Sequence, residues 1–324
     1  MKPRRLDLDA TQAAEHEQLG IPPLEVGVTH PGAHPFRRDL ILLVGLPLLA
    51  LATYGIGHAL LPAGWQPVVD QVAHSLGQEA FWLAAAVGLF AQVVDGALGM
   101  AYGITATTFL LSTGVPPAAA SASVHMAEIF TTGFSGLSHW RFGNVDKALF
   151  KRLLIPGIIG VLLGAFVITS IDGKAIKPWI SAYLVFMGLY VLSKAFRTIK
   201  RRKEPPKHIA ALALTGGFVD SVGGGGWGPV VTTSLIGTGH DPRTTIGSVN
   251  AAEFFLSIAG GVSFAFLIGF TYWEVIAGLV VGGLFAAPFA AWLCQHLQAR
   301  TLLIMVGVLI STISSFNLWK ALAG

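Results

Sequence analysis

One stretch of this chain is written twice. Residues 95–130 read DGALGMAYGITATTFLLSTGVPPAAASASVHMAEIF, and residues 220–255 read DSVGGGGWGPVVTTSLIGTGHDPRTTIGSVNAAEFF, at an offset of 125 with no gap. Fourteen of the 36 aligned positions are identical, among them Asp95/Asp220, Gly99/Gly224, Gly103/Gly228, Thr107/Thr232, Pro117/Pro242, Ser123/Ser248 and Glu128/Glu253. Glycine and proline at this density interrupt a helix. Matched broken segments in two halves of an apolar chain mark a secondary transporter with its binding site between the repeats.

The chain around the repeats is apolar. Of 324 residues, 53% are hydrophobic and 12% charged, and the mean hydropathy is +0.66. A soluble domain carries roughly twice that charge, and the apolar runs reach the ~20 helical residues a bilayer demands. The composition predicts an all-α polytopic membrane protein. The net charge of +4 is no nucleic-acid signal, because the basic residues sit in loops, where they set orientation. The single cysteine, Cys294, reads as a small apolar helix residue, with no partner for an intrachain disulfide. Residues 1–39 are polar, without helical periodicity or an apolar leader, and read as a disordered cytoplasmic tail.

Seven segments read as full spans: Leu40–Leu61, which lies outside the repeat, Ala118–Trp140, Leu153–Ile171, Trp179–Phe196, Thr244–Ile268, Trp273–Leu297 and Leu302–Leu318. Two more, Phe81–Ser112 and Ile209–Gly237, break at DGALGMAYG and DSVGGGGWGP. Legs of about 12–15 residues are too short to cross. If both turn back as re-entrant hairpins with the N-terminus inside, 18 Lys and Arg fall inside and 3 outside; if both cross, the split is 9 against 12. The positive-inside rule selects hairpins. Each repeat then holds three crossings, an odd number, so the second repeat (208–322) is inverted relative to the first (80–196). The basic linker 197–207, RTIKRRKEPPK, joins them on the cytoplasmic face, and the C-terminus lies outside.

The ordered pattern is an acidic residue before a Gly-rich break, then T-T, T-G-x-x-P and S-V-x-x-A-E. Carried in both copies, it resembles the sulfite exporter TauE/SafE family of membrane anion transporters, from about Phe81 to the C-terminus. The resemblance implies transport of small sulfur-containing anions such as sulfite, thiosulfate or organosulfonates across the cell (inner) membrane. It does not select among them, nor does it extend to the polar tail.

On this reading no cationic side chain lies in the membrane core. An anion must be held by backbone N–H groups, hydroxyls and helix dipoles. The second leg of each hairpin starts near Gly99–Gly103 and Gly224–Gly228 (with Gly226 between), where free N–H groups favour an anion; tight packing is the alternative use of these glycines. Thr105, Thr107 and Thr108, with Thr232 and Thr233, offer hydroxyls one turn deeper. Tyr102 and Trp227 share a repeat position and could line or gate the site. Glu128 and Glu253 are mid-span carboxylates, which are costly and functional by default. They could couple protons to transport, or brace the hairpins by accepting their N–H groups. Asp95 and Asp220 end the first legs and read as loop-stabilising, with coupling as the alternative. His125 and Asn250 align three residues before each Glu, on the same helix face; both can donate to an anion, only His titrates in the physiological range, and a hydrogen-bonded packing role is the alternative for the histidine. Ser123 and Ser248 are donors or small packing residues.

The expected partners are a small sulfur-containing anion, protons, the bilayer and, as an oligomer, a homodimer; no cofactor, metal or nucleic acid is implied. A passive anion channel shares every feature so far. A membrane-embedded enzyme has no support from a G-x-S-x-G elbow, an H-E-x-x-H pair or a P-loop.

Overall fold

The computed structural model describes residues 66–98, 100–141, 143–196, 208–238, 240–269, 272–296 and 299–323. The expected tail (1–39), the first span (40–61), the linker (197–207) and Gly99 lie outside the described residues. The described elements are helices, with no strands among them. Among the described residues, 66–79 belong to one compact unit, which contributes α1 (Gln66–Leu76), and those from Ala80 belong to a second, which holds both copies of the duplicated segment.

The first repeat contains α2 (Glu79–Leu98), α3 (Tyr102–Ser112), α4 (Pro117–Arg141), α5 (Lys147–Ser170) and α6 (Gly173–Lys194). The second contains α7 (Ile209–Gly223), a π-helical turn (Gly228–Thr232) running into α8 (Thr233–Gly237), then α9 (Pro242–Ile268), α10 (Trp273–His296) and α11 (Ala299–Ala323). Among the described residues, four helices are long and apolar enough to cross a membrane: Lys147–Ser170, Gly173–Lys194, Thr244–Ile268 and Leu303–Ala323. Their outward faces carry large apolar side chains, such as Phe266 (87% exposed) and Trp179 (76%), as lipid rather than water would require. The first leg α2 has 20 residues, longer than the expected 12–15, whereas α7 has 15. The helices before the two breaks are therefore unequal.

Short acidic caps start the long helices. Asp146 accepts from the N–H groups of Ala148 (2.8 Å) and Leu149 (3.2 Å), Asp172 from Lys174 (2.7 Å) and Asp241 from Thr244 (3.0 Å). Each cap satisfies N–H groups that the first helical turn cannot.

The repeats interdigitate. Helix α7 of the second repeat packs along α5 of the first, and α2 of the first packs along α10 of the second through Gly278 and Gly282. The same exchange relates α9·α5 to α4·α10, while α4·α9 and α6·α11 map onto themselves. Small residues let these backbones approach. A Cβ on Gly160 of α5 would sit on the Leu214 carbonyl oxygen and 2.8 Å from Phe218 N of α7. Gly160→Val is therefore expected to destabilise the α5·α7 pair by about 3 kcal/mol, the upper end for overpacking, because backbone cannot step aside. A lowered thermal midpoint in detergent checks this; an unchanged midpoint refutes it.

Candidate functional site

The two breaks are built alike. In the second copy, Gly224, Gly225 and Gly226 take φ values of 65°, 145° and 156°, and in the first Ala101 takes 87°. Ala101 aligns with Gly226, so the first copy places a side chain in a region that disfavours one. Seven residues beyond each aspartate the chain re-enters a helix. Asp220 Oδ1 accepts the Trp227 N–H at 2.9 Å, and Asp95 Oδ1 accepts the Tyr102 N–H at 3.4 Å. Both aspartates thus cap the helix that follows their own break, where a carboxylate also suits the helix dipole.

The breaks meet each other reciprocally. A Cβ on Gly103, at the start of α3, would lie 2.6 Å from Gly225 Cα. One on Gly228, the repeat equivalent of Gly103, would lie 3.3 Å from Met100 Cβ in the other break. The Thr107 hydroxyl donates to the Gly224 carbonyl, the Tyr183 hydroxyl of α6 to the Gly225 carbonyl at 2.7 Å, and the Ser121 hydroxyl of α4 to the Ser221 carbonyl at 2.6 Å. The carbonyls of the second break are thus satisfied by helices of the first repeat, as irregular backbone inside a membrane protein must be.

Four acidic residues converge here. The charges of Asp220, Glu253 and Asp95 all bear on Glu128, and those of Asp220 and Asp95 on Glu253. Glu128 is 2% exposed, and its Oε2 has no hydrogen-bond partner; Ser257 of α9 bonds its carboxyl group. Glu253 is partly exposed.

His125 joins the two repeats. Its Nδ1 lies 2.9 Å from the Ser121 carbonyl oxygen, which can only accept, so Nδ1 carries hydrogen. In a neutral imidazole Nε2 would then present a lone pair. Nε2 lies 3.4 Å from Asp220 Oδ2, a second electron-rich atom. The pair is attractive only with one further proton, on the imidazole or on the carboxyl. The ring is held by Phe264, at 5.6 Å between centroids.

The other expected site residues divide. Tyr102, Thr105, Ser123 and Thr232 are buried with hydroxyls that have no protein partner. Such orphaned groups mark a place able to receive a polar ligand. Thr108 donates to the Ile104 carbonyl (2.6 Å), lies 3.3 Å from the Ser314 hydroxyl and has its own carbonyl held by Asn317 at 3.1 Å. Trp227 is fully buried between α5, α7 and α9, with its indole N–H on the Val249 carbonyl at 3.2 Å. Ser248 and Asn250 serve α9 packing: Ser248 accepts the Asp146 N–H at 2.9 Å, and Asn250 donates to Ser135 at 3.0 Å. They are not drawn to the breaks as His125 is.

One cation bears on the expectation that none lies in the core. Lys194, one of the 18 basic residues counted on the inner side, is 7% exposed inside the helical body. Its ammonium donates to Thr233 and lies 3.1 Å from Met100 Sδ, so a cation does reach the breaks. The readable signal was its place inside the apolar run VLSKAF. Tyr183 was missed as well, because no pattern distinguishes it from an ordinary span aromatic.

Residues 84–316 match the family described as Sulfite exporter TauE/SafE. The chain is 41% identical to a Bacillus subtilis (strain 168) protein named "Probable membrane transporter protein YtnM", over 73% of this chain and 83% of that one. No solved structure matches.

Proposed function

Because the chain belongs to the sulfite exporter TauE/SafE family, and so is a multi-pass membrane transporter of that type, we propose that it carries sulfite or an organosulfonate by proton-linked alternating access. The moving parts are two inverted repeats with re-entrant hairpins, and the C-terminus lies outside. What supports this above all is the close meeting of the two breaks, the second of them braced by helices of the first repeat. A rocking motion of one repeat against the other would open this contact to alternate sides. The carboxylate cluster supplies the coupling. Like charges repel an anion, so a proton taken up by Glu128 or Glu253 lowers the electrostatic cost of the anion's arrival. The orphaned hydroxyls of Thr105, Ser123 and Thr232 are among the donors available to it, with Thr107 and the glycines shaping the backbone.

The test is flux into proteoliposomes under an inward proton gradient. Glu128→Gln and Glu253→Gln keep size and hydrogen bonding but remove the ionisable proton. Each is expected to cut gradient-driven accumulation about tenfold or more, while exchange down a concentration gradient persists. Flux indifferent to the gradient and unchanged in both variants would select the passive channel and reduce the glutamates to struts.

A further inference from the structure

The two repeats treat one equivalent position differently. Thr108 and Thr233 are the second threonines of the duplicated T-T pair, and each is met by the last helix of the opposite repeat. On one side α11 offers neutral groups, Ser314 and Asn317, to Thr108. On the other α6 offers an ammonium, Lys194, to Thr233. The duplication therefore does not account for this charge, and packing at that position is achieved without one in the other half.

Lys194 is also electrically alone. It is more than nine-tenths buried, yet among the described residues no carboxylate lies within 4.0 Å of its ammonium. Its neighbours are the Thr233 hydroxyl, the Met100 thioether and the Tyr190 ring, 5.5 Å from Nζ to the centroid. None carries a formal negative charge. A buried charge without a counter-charge is costly, and an anion arriving beside it offsets that cost. The Thr233 hydroxyl accepts from the ammonium, so its own hydrogen remains to donate. Met100 lies two residues ahead of Tyr102, the first residue of α3, and that helix presents its positive end on the same side.

We infer that Lys194 and Thr233 form the charge-bearing subsite for the transported anion, taking the oxygens of a sulfite or sulfonate head group between the ammonium and the hydroxyl. This rests on the transport reading above. It also locates the anion on the α6 side of the breaks, beside a lysine with which none of the four carboxylates pairs.

The full-length protein is compared with Lys194→Met, Lys194→Gln and Thr233→Val, using sodium sulfite and sodium isethionate as probes and sodium chloride as the ionic-strength control. Two readouts are taken: the half-saturating anion concentration for flux into proteoliposomes, and the anion-induced rise in thermal midpoint in detergent. For both lysine variants the half-saturating concentration is expected to rise about tenfold or more, as for loss of a buried charge-assisted contact, and the anion-induced stabilisation to vanish. The midpoint without anion should not fall, since an unpaired buried charge has been removed. If the lysine variants do not fold, Thr233→Val decides, with a rise of about threefold or more expected. Variants within about twofold of wild type in a protein that transports either probe overturn the lysine's role alone. A wild type that neither probe crosses nor stabilises overturns the transport reading and this inference together.

Discussion

Gly225→Ala is expected to yield no monodisperse protein after solubilisation, and no flux. Gly225 sits at φ 145°, where an L side chain costs about 1–2 kcal/mol. The added methyl would also fall on the Gly103 carbonyl carbon and the Ile104 nitrogen, backbone atoms of α3 that no rotamer change can move. The two terms together exceed about 4 kcal/mol, a large share of the stability of any domain. Gly237→Ala is the control. Nothing lies within 4 Å of the added methyl, and the position is helical, so its effect should be neutral or favourable by about 0.5 kcal/mol. Size-exclusion profiles and thermal midpoints of the two variants check the contrast. A well-folded Gly225→Ala protein would mean that the breaks do not touch as described.

The second large effect separates folding from coupling at one residue. In Asp220→Asn the side-chain oxygen can still accept the Trp227 N–H, and the new amide can donate to the lone pair on His125 Nε2. Every partner is satisfied, but the extra proton that the His125–Asp220 pair requires is gone. The expected result is a thermal midpoint within a few degrees of wild type and proton-driven accumulation lowered about tenfold or more. In Asp220→Ala the buried Trp227 N–H loses its acceptor, at a cost of about 1–3 kcal/mol, so that variant should lose stability as well as transport. Wild-type accumulation in Asp220→Asn would remove this pair from the coupling mechanism and leave Glu128 and Glu253 as its carriers.

The helical class, the duplication and the position of both breaks are local properties, and each is legible in the residues. Apolar runs of bilayer length exclude a soluble fold. Gly224–Gly226 announce a backbone that no helix can hold. An acidic residue seven positions before each restart proves to be its cap. The first break was harder to read, because Ala101 adopts a left-handed conformation that its side chain disfavours and that only the surrounding packing enforces.

The site itself was only half legible. Glu128, His125 and Asp220 stand out as polar residues in apolar runs, since burying them is expensive wherever they end up. Their convergence was not readable: a sequence carries no information on which face of α4 meets which turn of α7 across a separation of 95 residues. Ser248 and Asn250 show the converse. They occupy repeat positions matched to Ser123 and His125, yet in the unequal second half they hold the α4–α5 turn and α9 packing. The burial of Lys194 was unreadable for the same reason. Charge counting assigns a lysine near a helix end to the nearer loop, while a long side chain can as easily turn inward. What the sequence determined alone is therefore the helical class, the doubled architecture and the two places where the helix must break, because composition and backbone chemistry are local. Only the tertiary structure decided that the breaks face each other, that His125 meets Asp220 and that a lysine enters beside them, because those are contacts between distant segments fixed by how the two repeats interdigitate.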